Sequence, residues 1–332
     1  MLAAMLAAVI PCFRVKRHIL GVLAAIPRPV DRIYVVDDGC PEGSGDAVEA
    51  GCTDPRVRVL RHERNQGVGA ATLTGYRAAL EDGATVIVRL DGDGQMDPAL
   101  IPRLVRPIAD GEADYAKGNR FFELEGLRAM PPLRLVGNSI LSFASKLSSG
   151  YWNVFDPTNG FTAIHAAVLR QLPLDKLSLD WFFESDLLFR LGTIRAVVCD
   201  VPIPARYGDE ESSLVLRRVI GGFAWKHCSN AAKRIFYGYY LRNFNIASIE
   251  IAIGIPLVAF GAWIGVTRWY DGYLHNTPAT SGTVMLAALP VLVGIQLVLA
   301  FLSYDLQNVP RDVLHRRLAP SQERRPTTTN SL

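Results

Sequence analysis

The chain has 332 residues, 20% charged and 49% hydrophobic, with a formal net charge of +3. Those values exclude a disordered chain and argue against nucleic acid as a partner, and the length allows one large domain with additions. The cysteines, Cys12, Cys40, Cys52, Cys199 and Cys228, are odd in number, scattered and without a CxxC pair, which argues against a disulfide framework or a zinc site and fits a reducing compartment.

In chain order, Met1 to Ile10 is small and apolar without a basic flank, so it reads as a first strand and not as a signal segment. Strands are expected near Ala7–Cys12, Arg32–Val36, Val57–Arg61 and Thr85–Leu90, with helices about Lys16–Ile26, Gly45–Ala50 and Val68–Asp82 between them. Such alternation predicts an α/β fold with a parallel, doubly wound sheet, which binds ligands at the carboxyl ends of its strands. Polar clusters fall at those ends: Pro11-Cys12-Phe13-Arg14, Asp37-Asp38-Gly39, Arg64-Asn65-Gln66-Gly67 and Asp91-Gly92-Asp93-Gly94-Gln95. The last places two carboxylates and a carboxamide where their oxygens can converge on one hard cation; the plain alternative is a solvated turn. Asp37-Asp38 can accept hydrogen bonds from a base and a ribose, or simply cap a turn. Gly67-Val68-Gly69 lies after the third strand and lacks a third glycine, so it reads as a helix N-terminus close to a ligand and not as a dinucleotide fingerprint.

Further on, Asp114 to Arg120 reads as a fifth strand ending in a basic cluster with Lys117 and Arg120. Leu135 to Leu147 is a helical pattern whose apolar positions cover one broad side. It either caps the core or lies at a membrane surface. Asp156-Pro157-Thr158-Asn159-Gly160-Phe161 is a loop, and Phe182-Phe183-Glu184-Ser185-Asp186 opens a helix. Arg217, Arg218, Lys226, Lys233, Arg234 and Arg242 form a stretch with no acid. Two apolar segments follow, roughly Asn245–Val266 and Thr283–Ser303, each about the length of a transmembrane helix. The basic run on one side and Arg311, His315, Arg316 and Arg317 on the other place both ends in the cytoplasm by the positive-inside rule, with Trp263, Trp269, Tyr270 and Tyr273 at the far interface. The tail from Ala319 reads as disordered.

The motifs Ile10-Pro11-Cys12-Phe13, Val35-Val36-Asp37-Asp38-Gly39, Asn65-Gln66-Gly67-Val68-Gly69-Ala70 and Asp91-Gly92-Asp93-Gly94-Gln95 together resemble glycosyltransferase family 2, in its polyprenyl-phosphate branch. Arg14 departs from that pattern. The resemblance implies a GT-A (Rossmann-like doubly wound) catalytic domain over residues 1–212. Basic juxtamembrane helices follow at 213–244, then transmembrane helices at 245–267 and 283–304 and a cytoplasmic tail at 305–332. It implies that Pro11, Phe13, Asp37, Asp38, Asn65, Gly67, Asp91 and Gly92 surround the nucleotide, with Asp38 on the base or ribose and Arg206 on the diphosphate. By the same resemblance Asp91, Asp93 and Gln95 hold Mg2+ or Mn2+, while Arg120, Arg134 and Asn138 meet a lipid phosphate. Glu184 stands where relatives that glycosylate hydroxyls keep a general base. A phosphate acceptor is already ionised, so here Glu184 is expected either to orient sugar or acceptor or to be a helix N-terminal acid with no chemistry.

The expected function is inverting transfer of a sugar from a nucleotide diphosphate sugar to polyprenyl (undecaprenyl) phosphate. A UDP-sugar is favoured and GDP-mannose comes next. Transfer takes place at the cytoplasmic face of a bacterial inner membrane. The expected partners are the donor, the lipid acceptor and membrane lipids, with no nucleic acid, and paired membrane helices commonly associate into a homo-oligomer. Two alternatives are a processive polysaccharide synthase, whose Q-x-x-R-W motif is missing here, and a non-catalytic membrane-anchored scaffold that binds sugar nucleotides.

Overall fold

The computed structural model describes residues 5–122, 132–204 and 216–318, with the backbone alone at 132–135 and 216–220. The chain divides into two compact units, Met1–Asn230 with Pro310–Leu332, and Ala231–Val309.

In the first unit, β1 (Leu6–Cys12), β2 (Arg32–Asp37), β3 (Val57–Arg61), β4 (Val86–Arg89), β5 (Tyr115–Asn119), β6 (Thr162–His165) and β7 (Val198–Pro202) form one sheet. Their order is β3-β2-β1-β4-β6-β5-β7. The crossovers are α1 (Ile19–Ala25), α2 (Ser44–Gly51), α3 (Val68–Glu81) and α4 (Ile101–Ala109). Strands β1 to β4 are parallel, as the alternation predicts; β1, β2 and β4 are almost wholly buried, hence their apolar runs, whereas β3 at the sheet edge is only partly buried. The sheet is nevertheless mixed: β6 runs antiparallel to both β4 and β5. Four residues carry too little periodicity to announce such a strand.

Helix α5 (Pro132–Ser149) covers the expected Leu135–Leu147, yet it buries the face that looked polar. Ser142, Ser145, Ser148 and Ser149 point inward, whereas Val136, Ile140 and Phe143 are 55%, 66% and 56% exposed. Ser142 Oγ donates to the Phe155 carbonyl at 2.7 Å, and Ser148 Oγ lies 2.9 Å from His227 Nδ1. Hydrogen bonding makes those serines tolerable inside.

The helices α6 (Ala166–Leu169) and α7 (Phe183–Thr193) complete the catalytic-type unit, and α8 (Leu216–Ile235) begins in it. Lys226 of α8 pairs with Asp180 at 2.7 Å, and Asn230 donates to Asp186 at 3.2 Å. After the second unit the chain returns as α11 (Leu314–Leu318). Its socket is Asp114, which is fully buried. That carboxylate accepts from the Leu314, His315 and Val197 backbone N–H groups and from the His315 ring, each at 2.8 Å. The His315 ring stacks on His165 with centroids 4.2 Å apart. Burial alone would raise the pKa of Asp114, but the His315 and backbone hydrogen bonds outweigh it and hold the carboxyl below its ordinary range.

Two imidazoles in this unit are also lowered, which for a histidine favours the neutral form. Burial lowers His165 and His227 from the ordinary 6.5 to about 4. Their folded values lie below their unfolded ones, so the stability they permit is whole above pH 6.5 and is lost as pH falls toward about 4. Thermal melts across that window should show the apparent melting temperature dropping steadily. A flat profile would show that these rings accept protons without cost.

The second unit is a helical hairpin of α9 (Ile246–His275) and α10 (Ser281–Gln307), preceded by a π-helical turn at Phe236–Arg242. Both long helices are apolar and long enough to cross a bilayer. Helix α9 runs past the expected end of the span, so Trp269, Tyr270 and Tyr273 stand exposed on helix and not in a linker. The helices approach closely at small residues: a Cβ on Gly261 would sit 2.6 Å from the Ala287 carbonyl oxygen. Arg234 is not left as a bare cation. It forks onto buried Asp305 of α10 at 2.7 and 2.9 Å, and the Tyr239 hydroxyl donates to the same carboxylate.

Candidate active site

Because β1 to β4 are parallel, the four polar clusters at their carboxyl ends share one edge of the sheet. Pro11 is buried within β1, and Phe13 is partly exposed just beyond it, with the Arg14 guanidinium 5.3 Å over its ring.

Asp37 and Asp38 are buried and bonded to the protein itself. Asp37 accepts from the Cys40 and Gly45 N–H groups at 2.7 and 2.6 Å. Asp38 accepts from the Gln66 and Gly67 N–H groups at 2.9 and 2.8 Å and lies 2.7 Å from His62 Nδ1. Both carboxylates thus fasten the loops of this edge, and Asp38 fixes the segment that carries exposed Asn65. Gly67 has a φ of +101° and would bring a Cβ within 2.4 Å of the Leu179 carbonyl oxygen. The same carbonyl accepts from the Gly69 N–H at 3.0 Å. The glycines here permit a close approach of backbone to backbone.

The loop after β4 carries the expected cation donors. Asp93 Oδ1 accepts from the Gln95 N–H at 2.9 Å, and Gly94 takes a φ of +80° to close the turn. Asp91 Oδ1 accepts from Arg89 Nη2 at 2.8 Å. Among the described residues no group of three His, Cys, Asp or Glu side chains converges as a metal cage. Two carboxylates and a carboxamide are instead the oxygen-only donors that suit Mg2+ or Mn2+ shared with substrate phosphates. On donor chemistry the residues fit such an ion.

Arg89 was missed by the sequence reading. It lies at the end of β4 with 3% of its side chain exposed, and it also bonds Glu184 in the first turn of α7. Burial alone would lower its pKa, but Asp91 and Glu184 outweigh it, so the guanidinium stays charged. The signal was there: an arginine inside the apolar run Val86-Ile87-Val88-Arg89-Leu90 needs buried partners.

Beside this loop lies a pocket lined by Gln95, Met96, Leu100, Arg120, Asn159 and Phe161. It brings the metal-type loop, the end of β5 and the loop before β6 together. Arg120 forks onto the buried carboxylate of Asp156 at 2.8 and 3.1 Å. Asn159 donates to the Gly118 carbonyl at 2.8 Å, and its own carbonyl accepts from Lys117. Lys117 is fully buried. Desolvation lowers its pKa to about 8, against the opposing pull of Glu184 and Asp156. Asn119 donates to Asp200 at 2.8 Å, and burial raises the pKa of that carboxyl. Asn138 is half-buried on α5. The Arg134 side chain and the whole of Arg206 lie outside the described residues.

Residues 8–172 match Glycosyl transferase family 2. The Undecaprenyl-phosphate mannosyltransferase of Micrococcus luteus is 32% identical over 177 residues, covering 53% of this chain and 72% of its own. The UDP-N-acetylglucosamine--dolichyl-phosphate N-acetylglucosaminyltransferase of Methanococcus voltae is 30% identical, covering 60% and 84%. The Polyprenol monophosphomannose synthase of Mycolicibacterium smegmatis is 32% identical, covering 59% and 75%. Among solved structures, glucosyl-3-phosphoglycerate synthase from Mycobacterium tuberculosis, in complex with Mn2+, UDP and phosphoglyceric acid, superposes with a TM-score of 0.53. That match has 17% identity over 70% of this chain and 78% of that one, and it shows the shared GT-A fold. With strand-end motifs, fold and relatives in agreement, the chain belongs to glycosyltransferase family 2, in its polyprenyl-phosphate branch.

Proposed function

We propose that the protein transfers a hexosyl group from a nucleotide diphosphate sugar to polyprenyl phosphate, with inversion, at the cytoplasmic face of a membrane. The observation that carries this reading is the pocket where Gln95 of the Asp91–Asp93–Gln95 loop meets Arg120, in a chain that also holds two helices long and apolar enough to span a bilayer. The outward apolar row Val136, Ile140 and Phe143 on α5 supports it, since such a face suits contact with lipid.

In this reading the phosphate oxygen of the acceptor attacks the anomeric carbon as the bond to the nucleoside diphosphate breaks. Asp91, Asp93 and Gln95 would hold Mg2+ or Mn2+, which supplies charge neutralisation for the departing diphosphate. Asp37 and Asp38 keep the nucleotide-side loops in place, and Phe13 and Asn65 line them. Arg206 would meet the diphosphate, and Arg134 with Asn138 would receive the acceptor phosphate. Arg120, held by Asp156, lines the pocket and would add charge-assisted hydrogen bonding there. The acceptor arrives ionised, so alignment and electrostatics do most of the work.

A UDP-sugar is the first donor and GDP-mannose the second. The relatives' names include both a UDP-N-acetylglucosamine enzyme and mannosyl enzymes. A screen of nucleoside diphosphate release, with undecaprenyl phosphate present, should single out one donor. Donor binding with no release from any donor would favour the sugar-nucleotide scaffold instead.

A further inference from the structure

Arg89 links three pieces of chain that are far apart in sequence. It sits in a central strand, paired with Val9 of β1 and Thr162 of β6. Its Nη2 holds Asp91 of the metal-type loop, and its Nη1 holds Glu184 of α7. The face of the guanidinium lies on Gly160 in the loop before β6. A Cβ there would fall 2.8–3.0 Å from Nη1, Cζ and Nη2. Burying a permanent cation in the sheet is costly unless it is fully engaged, and Nε is buried with no partner. Only a planar fork can reach two carboxylates at once while lying flat on a glycine, so a lysine would not replace it.

We propose that Arg89 is a positioning residue for the transfer reaction: it fixes one oxygen of Asp91, which would leave the other for the divalent cation, and it takes Glu184 as its counter-charge. The proposal rests on the sugar-transfer reading above. It gives Glu184 a role that proton abstraction does not require, since Glu184 Oε1 is already bonded to Arg89. It also explains Gly160, because any side chain there would lift the guanidinium off its seat.

The test uses the full-length protein in detergent, with Mn2+ alone as the probe, followed by electron paramagnetic resonance. Melting temperature is read in parallel. Arg89→Met should weaken Mn2+ binding about 10–100-fold, the usual effect of losing a residue that orients a metal ligand. It should also lower the melting temperature, because Glu184 is left buried and unpaired. The double variant Arg89→Met/Glu184→Gln should recover much of the melting temperature but not the Mn2+ affinity. Gly160→Ala should weaken Mn2+ binding in the same direction. Glu184→Gln should lower kcat by less than about tenfold, whereas loss of a general base costs about 10²–10⁴-fold.

Recovery of both stability and Mn2+ affinity in the double variant would reduce Arg89 to a structural ion pair and overturn the proposal. Normal Mn2+ binding by Arg89→Met, or loss of kcat on the general-base scale in Glu184→Gln, would do the same. Wild-type protein that binds no Mn2+ would overturn the cation reading as well, which separates the two failures.

Discussion

Asp93→Ala is expected to abolish sugar transfer while leaving the fold intact. Asp93 sits in a part-buried loop beyond β4 and not in the core, and its Oδ1 closes the turn onto the Gln95 N–H. Its removal therefore costs little packing, but it takes a carboxylate from a donor set that has only one other, Asp91. Charge neutralisation of a leaving diphosphate is worth several kcal/mol, so turnover should fall at least about 10²-fold. The measurement is nucleoside diphosphate release at saturating donor, with circular dichroism confirming the fold. Turnover near wild type in a chelated buffer would remove the divalent cation from the mechanism.

Asp114→Ala is expected to produce the largest loss of stability. The substitution strands three backbone N–H groups and the His315 ring, all of which now end on one buried carboxylate. Removing one member of a buried charged cluster typically costs about 3–5 kcal/mol. For a unit of this size that corresponds to roughly 10 °C in melting temperature. Truncation after Val309 removes the α11 side of the same contact, so the truncated Asp114→Ala protein should be little worse than Asp114→Ala alone. Fully additive losses would show that the socket and α11 stabilise the protein separately.

How much of this was legible in the sequence depends on how local each signal is. The strands β1, β2 and β4 and their polar ends were legible because strands buried on both faces of a parallel sheet write apolar runs that stop near the functional edge, and β3 followed from the strand–helix alternation around it. The hairpin of two helices long and apolar enough to span a bilayer was legible from length and composition. Three features were not. Strand β6 has four residues and runs antiparallel to both of its neighbours. The seat of α11 depends on Asp114, which lies two hundred residues earlier. The inward face of α5 carries serines with hydrogen-bond partners on Phe155 and His227, so counting apolar positions alone does not tell which side packs on the protein. Within the site, Asp37 and Asp38 were found by position, but which atoms they bond is a property of the folded loops. Arg89 was visible as an anomaly in an apolar strand, and only the fold could say that Gly160 and Glu184 complete its setting.

The central claim is transfer onto a lipid phosphate, and one measurement tests it most directly. Purified full-length protein in vesicles with undecaprenyl phosphate is given labelled donor sugar, and the lipid extract is analysed for product. The account predicts label in a polyprenyl-phosphate sugar, formed only when the lipid phosphate is present and lost in Asp93→Ala. Label that accumulates in a water-soluble polymer, or donor turnover that is equal without the lipid phosphate, would contradict it.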